Sequence, residues 1–163
     1  MITDKEAIPI EGKTIEDQPE DIITTACLWA EDRGDGYVGM LAVLWVIHNL
    51  AKEKNKSFKE IVIHPWRFSS FNNNDPEKPH LLKAYKEDPI NWQKAWNVLK
   101  EFKEGFTNVI DPIDGANHYC VNDLWNTDDG SHKYHRWFSK QQIDLGKTIF
   151  KKIIGRQTYA WCA

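Results

Sequence analysis

The stretch CLWAEDRGDGYVGMLAVLWVI, residues 27–47, decides how the chain is read, because it joins two helices of different character around one misplaced acid. Upstream of it, Pro19 suits the first turn of a helix, and Glu20 and Asp21 set negative charge at that helix's positive end. The helix is predicted to run to about Arg33, with Gly34 as a left-handed stop. A second helix is predicted from Gly36 or Tyr37. Over Val38 to Ala51 it is apolar almost all round, the pattern of a central, buried helix. Residues four apart share a helical face, so Ile23, Cys27 and Glu31 line up, with Leu28 beside Glu31. A carboxyl group therefore continues an apolar stripe. Burial and the negative end of the helix dipole both disfavour its charged form, and Asp35 acts the same way, whereas an inward-turned Arg33 would oppose them. A carboxylic acid still protonated near neutral pH is what general-acid catalysis requires. The competing reading is a glutamate that leans into solvent and pairs with Arg33 or a lysine, the commoner fate of this residue type.

The rest of the chain bounds what such an acid could serve. With 163 residues, 41% of them hydrophobic, one domain with a substantial core is expected. Residues 1–18 lack periodicity and read as an arm or irregular lead-in, and residues 19–163 as a single domain. A net charge of −3 gives no general pull toward nucleic acid or an acidic membrane surface. The longest apolar run, Met40 to Ile47, is far short of the roughly 20 residues that span a bilayer. The acidic opening lacks the basic and apolar segments of a secretory signal, so a cytoplasmic location is expected, and the chain is taken as a monomer. Three cysteines, Cys27, Cys120 and Cys162, with no CxxC spacing, read as free and mostly buried thiols.

Further along, a short helix is predicted at Ser57 to Ile63, and a loop over Asn72 to Pro76, with Pro79 and Pro89 keeping its surroundings irregular. Asn91 to Glu104 reads as an amphipathic helix with Trp92, Ala95, Trp96 and Leu99 on one side, closed by Gly105. Asp111, Pro112, Asp114 and Gly115 mark a second turn-rich loop, Gln141 to Ile153 a further helix, and Gln157 to Cys162 a short extended tail. The expected class is mainly α with long loops.

Four ordered segments resemble one family. Ala30, Glu31, Asp32, Arg33, Gly34, Asp35, Gly36, Tyr37 and Gly39, followed by an apolar helix ending in Asn49, resemble the Gly-Glu-Ala-Arg-Gly-Glu signature of SleB-type cell-wall hydrolases. Phe68, Ser69, Ser70, Phe71 and Asn72 resemble that family's Phe-Ser-x-aromatic-Asn segment. Asp111, Pro112, Asp114, Gly115, Ala116, His118, Tyr119 and Asn122 resemble its Asp-Pro-x-x-Gly-Ala-x-x-Tyr stretch, and Ile154 and Gly155 its closing Ile-Gly. The family includes spore cortex-lytic enzymes and phage endolysins. The resemblance implies a lysozyme-like, lytic-transglycosylase-like domain that cleaves peptidoglycan glycan strands between N-acetylmuramic acid and N-acetylglucosamine, with Glu31 as catalytic acid and base and no cofactor or metal. Within that family, the missing secretory signal fits storage in the cytoplasm until release to the wall, or association with a virion, better than a secreted spore enzyme. Asp32 stands where the family has alanine, and Asp35 where it has the second glutamate.

Glycosidases generally use a second carboxylate. Asp35, Asp75, Asp111, Asp114 and Asp123 are candidates, although loop aspartates more often cap turns. The resemblance favours a route with one glutamate. Of the eight tryptophans, Trp45, Trp92 and Trp96 sit at helical spacing and are assigned to the core. Phe71, Tyr119 and Trp125 lie in loop-like segments and suit either a glycan groove or ordinary packing. Ser69, Asn72, His118 and Asn122 suit hydrogen bonds to acetamido groups or sugar hydroxyls, or ties within their own loops; Asp35 completes the candidate binding set. His118, Cys120, His132 and His135 crowd one region, but with neither an HExxH nor a CxxC pattern they give zinc little support. A glycan-binding or virion structural module without turnover is the alternative from another functional class.

Overall fold

A computed structural model describes residues 4–105 with their side chains, together with the backbone of three strands within 118–153. The fold is mainly helical. In order, the helices are α1 (Glu20–Asp32), α2 (Gly36–Lys54), α3 (Phe58–Val62), α4 (Ala84–Glu87) and α5 (Pro89–Lys103), with single 3-10 turns at Lys5–Ala7, Ser69–Phe71 and Lys78–His80.

The two long helices of the opening stretch form where the apolar pattern places them, and their junction follows from charge and close packing. Helix α1 buries every residue from Ile22 to Trp29, and α2 buries Met40 to Leu44, Val46 and Ile47. Each fully buried aliphatic side chain, such as Ile23, Leu44 or Ile47, contributes about 1.5–3 kcal/mol. Burial in α2 starts at Gly39, one residue later than its apolar sequence implies: Val38 is 54% exposed. The left-handed residue at the junction is Gly36, at φ +69°, and not Gly34. Arg33 makes a glycine stop unnecessary, because its Nη1 donates to the carbonyls of Trp29 and Ala30 at 3.4 and 3.3 Å. The buried carboxyl of Asp32 then packs against Gly39 in the next helix; a Cβ at position 39 would lie 2.2 Å from Asp32 Oδ2. A negative group beside the first turns of α2 suits the positive end of its dipole.

Helix α5 packs against both α1 and α2. Trp92, Trp96, Val98 and Leu99 are buried, and Gly105 at φ +71° follows the helix's end. Asp88 caps α5, accepting from Asn91, and its Oδ2 also accepts from Trp29 Nε1 at 3.0 Å, which ties α1 to the start of α5. Trp45 is half-buried in an aromatic cluster with His48 and Phe102, ring centroids 5.2–5.3 Å apart. A capping box of Ser57 and Glu60 starts α3.

The lead-in lies along α5. Trp92 Nε1 donates to the Ala7 carbonyl at 2.8 Å, and Trp96 Nε1 to Asp4 Oδ2 at 3.0 Å. The buried side chain of Gln18 closes the loop behind it, accepting from Ile10 N–H at 2.7 Å and donating to Ile10 O at 2.8 Å.

The C-terminal part departs from expectation. Within Gln141 to Ile153, predicted as a helix, Gln141 to Leu145 lie in strand β2 (Phe138–Leu145) and Thr148 to Ile153 form β3 (Thr148–Ile153). His118–Val121, predicted within a loop, forms β1. The sheet is antiparallel in the order β1-β3-β2, with Leu145 opposite Thr148, Val121 also opposite Thr148, and a register irregularity between Phe138 and Gln142. The physical signal is β-branched and aromatic content: Thr148, Ile149, Phe150 and Ile153 favour a pleated surface, and Gly146 interrupts any helical run. The predicted tail, Gln157 to Cys162, lies outside the described residues.

Candidate active site

Glu31 sits in the last turn of α1, one turn beyond Cys27 and beside Leu28. Both of those neighbours are fully buried, whereas Glu31 is half-buried, so its carboxyl emerges where the apolar stripe meets the surface. The hydroxyl of buried Ser70 donates to Glu31 Oε1 at 2.7 Å. The 3-10 turn Ser69–Phe71 that carries this hydroxyl packs on α1 and is closed by Phe71 N–H to Phe68 O and Asn72 N–H to Ser69 O. Phe68, 1% exposed, anchors that turn in the core. Burial pushes the Cys27 thiol well above its ordinary range, and Glu31, whenever it is ionised, pushes it further the same way. The thiol is therefore inert as a nucleophile, and its smaller role is to line the apolar side of the carboxyl.

The surroundings of Glu31 assign Arg33 elsewhere. Its guanidinium lies 4.3 Å from the centroid of the Trp29 ring and pairs with Glu77 at 2.9 Å. Asp75 Oδ1 accepts from Glu77 N–H at 2.9 Å, the turn-capping use common for loop aspartates. Asp35 occupies the N-cap position of α2 without a capping side-chain bond.

Beyond Ser70 the chain walls a cleft of about 400 Å³, lined by Trp66, Phe71, Asn72 and the following asparagines, with Lys78 and Glu16 among its other walls. Phe71 belongs both to this cleft and to the core, at 8% exposure. Asn72 Oδ1 accepts from Trp66 N–H at 3.2 Å, and Lys78 Nζ bridges Asn73 Oδ1 at 2.8 Å and Glu16 Oε1 at 2.6 Å. Ser69 is half-buried at the start of the turn. Ser70 and Phe71 are neighbours in one 3-10 turn, the first donating to Glu31 and the second lining the cleft.

Of the sequence candidates, Glu31 is thus brought to the 69–72 turn, and Phe71 and Asn72 to a common cleft. The backbones of His118 and Tyr119 lie in β1, but their side chains, and Asn122, Trp125, Asp111, Asp114 and Asp123, lie outside the described residues. So do the side chain of Cys120 and the residues His132 and His135. Two participants escape the sequence reading. Ser70 is the second of two adjacent serines, and nothing in the sequence tells which one turns inward. Trp66 follows Pro65 in a stretch without periodicity, a signal of irregular backbone only.

Compared with protein-family models, with curated proteins and with solved structures, the chain matches none. No helix among the described residues is long and apolar enough to cross a membrane.

Proposed function

We propose that this chain is a peptidoglycan-cleaving glycosidase of lysozyme-like architecture, with Glu31 as its general acid and then its base. The observation that carries the reading is the half-buried carboxyl of Glu31 at the end of a buried stripe, with one oxygen fixed by the Ser70 hydroxyl at 2.7 Å. The four segments resembling SleB-type hydrolases supply the substrate: glycan strands of N-acetylmuramic acid and N-acetylglucosamine.

In the reaction, Glu31 donates its proton to the glycosidic oxygen as the bond to the muramic acid C1 breaks. The resulting carboxylate then takes the proton of the muramic acid C6 hydroxyl, whose oxygen closes on C1 to give a 1,6-anhydro end. Acid and base are one group used twice, so a second carboxylate is not required. Ser70 holds the carboxyl in one orientation through both transfers.

The test is incubation of purified peptidoglycan with wild-type protein and with Glu31→Gln. Wild-type protein should release soluble muropeptides, and their masses should show anhydro ends. Glu31→Gln should fold normally and lose release by about 10²-fold or more. Release by Glu31→Gln near the wild-type rate would remove the proposal. Binding to peptidoglycan without release by the wild-type protein would identify a glycan-binding module instead.

A further inference from the structure

Trp66 occupies a position where turn chemistry calls for glycine. Residues 64–67 form a turn closed by Arg67 N–H donating to His64 O at 3.2 Å, with Pro65 second and Trp66 third. Trp66 has φ +65°. Proline in the second place and positive φ in the third is the pattern of a type II turn, whose third residue is ordinarily Gly or Asn. A bulky side chain in the left-handed region is a backbone outlier that neighbouring structure must hold in place. Here the hold is visible: Pro65 presets the turn, and Asn72 Oδ1 takes the Trp66 N–H.

The indole is not held there to fill the core, because Trp66 is 53% exposed. It stands at the edge of the 400 Å³ cleft, with the apolar edge of Phe71 and the carboxamides of Asn72, Asn73 and Asn74 on the same wall. An exposed aromatic plane beside several amides suits a pyranose ring with an apolar face and an acetamido group that both donates and accepts. We infer that Trp66 is the stacking platform of a sugar subsite that takes an N-acetylated hexosamine of the glycan strand. This rests on the reading of the chain as a peptidoglycan glycosidase and deepens it, extending the substrate track from the Ser70 turn over the 65–74 segment.

The experiment separates the two. Proteins carrying Glu31→Gln, to prevent turnover, are titrated with a β-1,4-linked N-acetylglucosamine tetramer and sedimented with purified peptidoglycan. Adding Trp66→Gly should weaken both interactions by roughly tenfold, while the melting temperature stays level or rises, because glycine suits φ +65°. Trp66→Tyr, which restores a smaller aromatic plane, should recover part of the loss. Unchanged binding in Trp66→Gly would overturn the subsite even if Glu31→Gln has abolished release. A melting temperature lowered by several degrees in Trp66→Gly would also overturn it, by showing that the indole serves packing. The glycosidase reading fails by a different result, release of muropeptides by Glu31→Gln alone.

Discussion

Ser70 reaches across 39 positions of sequence to donate its hydroxyl to Glu31 Oε1, joining a 3-10 turn to the last turn of α1. A hydrogen bond to a carboxylate is worth about 1.5–3 kcal/mol. Where the bond acts only in orienting the reacting group, Ser70→Ala should lower kcat for muropeptide release by about ten- to a hundredfold with KM little changed. Ser70→Thr, which keeps the hydroxyl, should restore much of the rate. Equal loss in both variants, or loss confined to KM, would mean that the hydroxyl does not position the acid.

The contact between Asp32 and Gly39 makes a prediction about packing. A methyl group at position 39 would meet Asp32 Oδ2 and Asp32 Cγ, with Asp35 Cβ close behind. Gly39→Ala should therefore destabilise the fold by about 1–3 kcal/mol in urea denaturation. Asp32→Ala removes the larger obstruction, so the double variant should recover part of that loss, a coupling of about 0.5–3 kcal/mol. Strictly additive losses would show that the two residues do not touch.

Acid should loosen the helical body through specific carboxylates. Burial tends to raise Asp88, but hydrogen bonds from Asn91 and from Trp29 Nε1, with the nearby charge of Arg33, outweigh it and hold the carboxyl below its usual range. In Glu16 burial likewise tends to raise the group, and the bond and charge of Lys78 prevail and lower it. A group depressed on folding contributes stability above its unfolded value and loses it as pH falls through the folded one, so the loss comes in the acid range below about pH 4. Asp88→Asn should flatten the dependence of unfolding free energy on pH in that window, and Asp88→Ala should cost about 0.5–2 kcal/mol at neutral pH through the lost cap. An unchanged acid slope in Asp88→Asn would count against this assignment.

Tyr37 should ionise late. Its hydroxyl donates to Glu101, and this bond, with burial and the glutamate's charge added, pushes the phenol from 10.0 up to about 12. Because the folded value is raised, the stabilising contribution is complete below pH 10 and disappears as pH rises toward 12. Absorbance titration of the phenolate should show one tyrosine ionising near pH 12 that moves down in Glu101→Gln and is missing in Tyr37→Phe. A titration identical in the wild-type and Glu101→Gln proteins would contradict the bond.

What the sequence made legible is local. Pro19 with Glu20 and Asp21, and the unbroken apolar run beyond Gly36, specify α1 and α2 because dipole, burial and period all agree there. Trp92, Ala95, Trp96 and Leu99 mark α5 for the same reason. The end of α1 is less legible, since Gly34 offers a stop and it is the Arg33 side chain that serves the carbonyls a glycine turn would otherwise satisfy. The strands after position 117 differ from the predicted helix because the segment around Ile143 and Ile149 has apolar spacing compatible with either period, and pairing with a distant strand decides between them. At the site, Glu31 announces itself by breaking an apolar face. Ser70 and Trp66 do not, because a serine's inward turn and a tryptophan's left-handed backbone are set by the fold around them.

The acidic opening reads in sequence as an arm or irregular lead-in, yet it furnishes the acceptors for two indole N–H groups of α5, at Ala7 and Asp4. A shortened protein starting at Pro19 would take from Trp92 and Trp96 the acceptors that Ala7 and Asp4 supply, and would lose the carboxamide clasp of Gln18. Truncation experiments meant to isolate the helical body should therefore keep the chain from Asp4 onward.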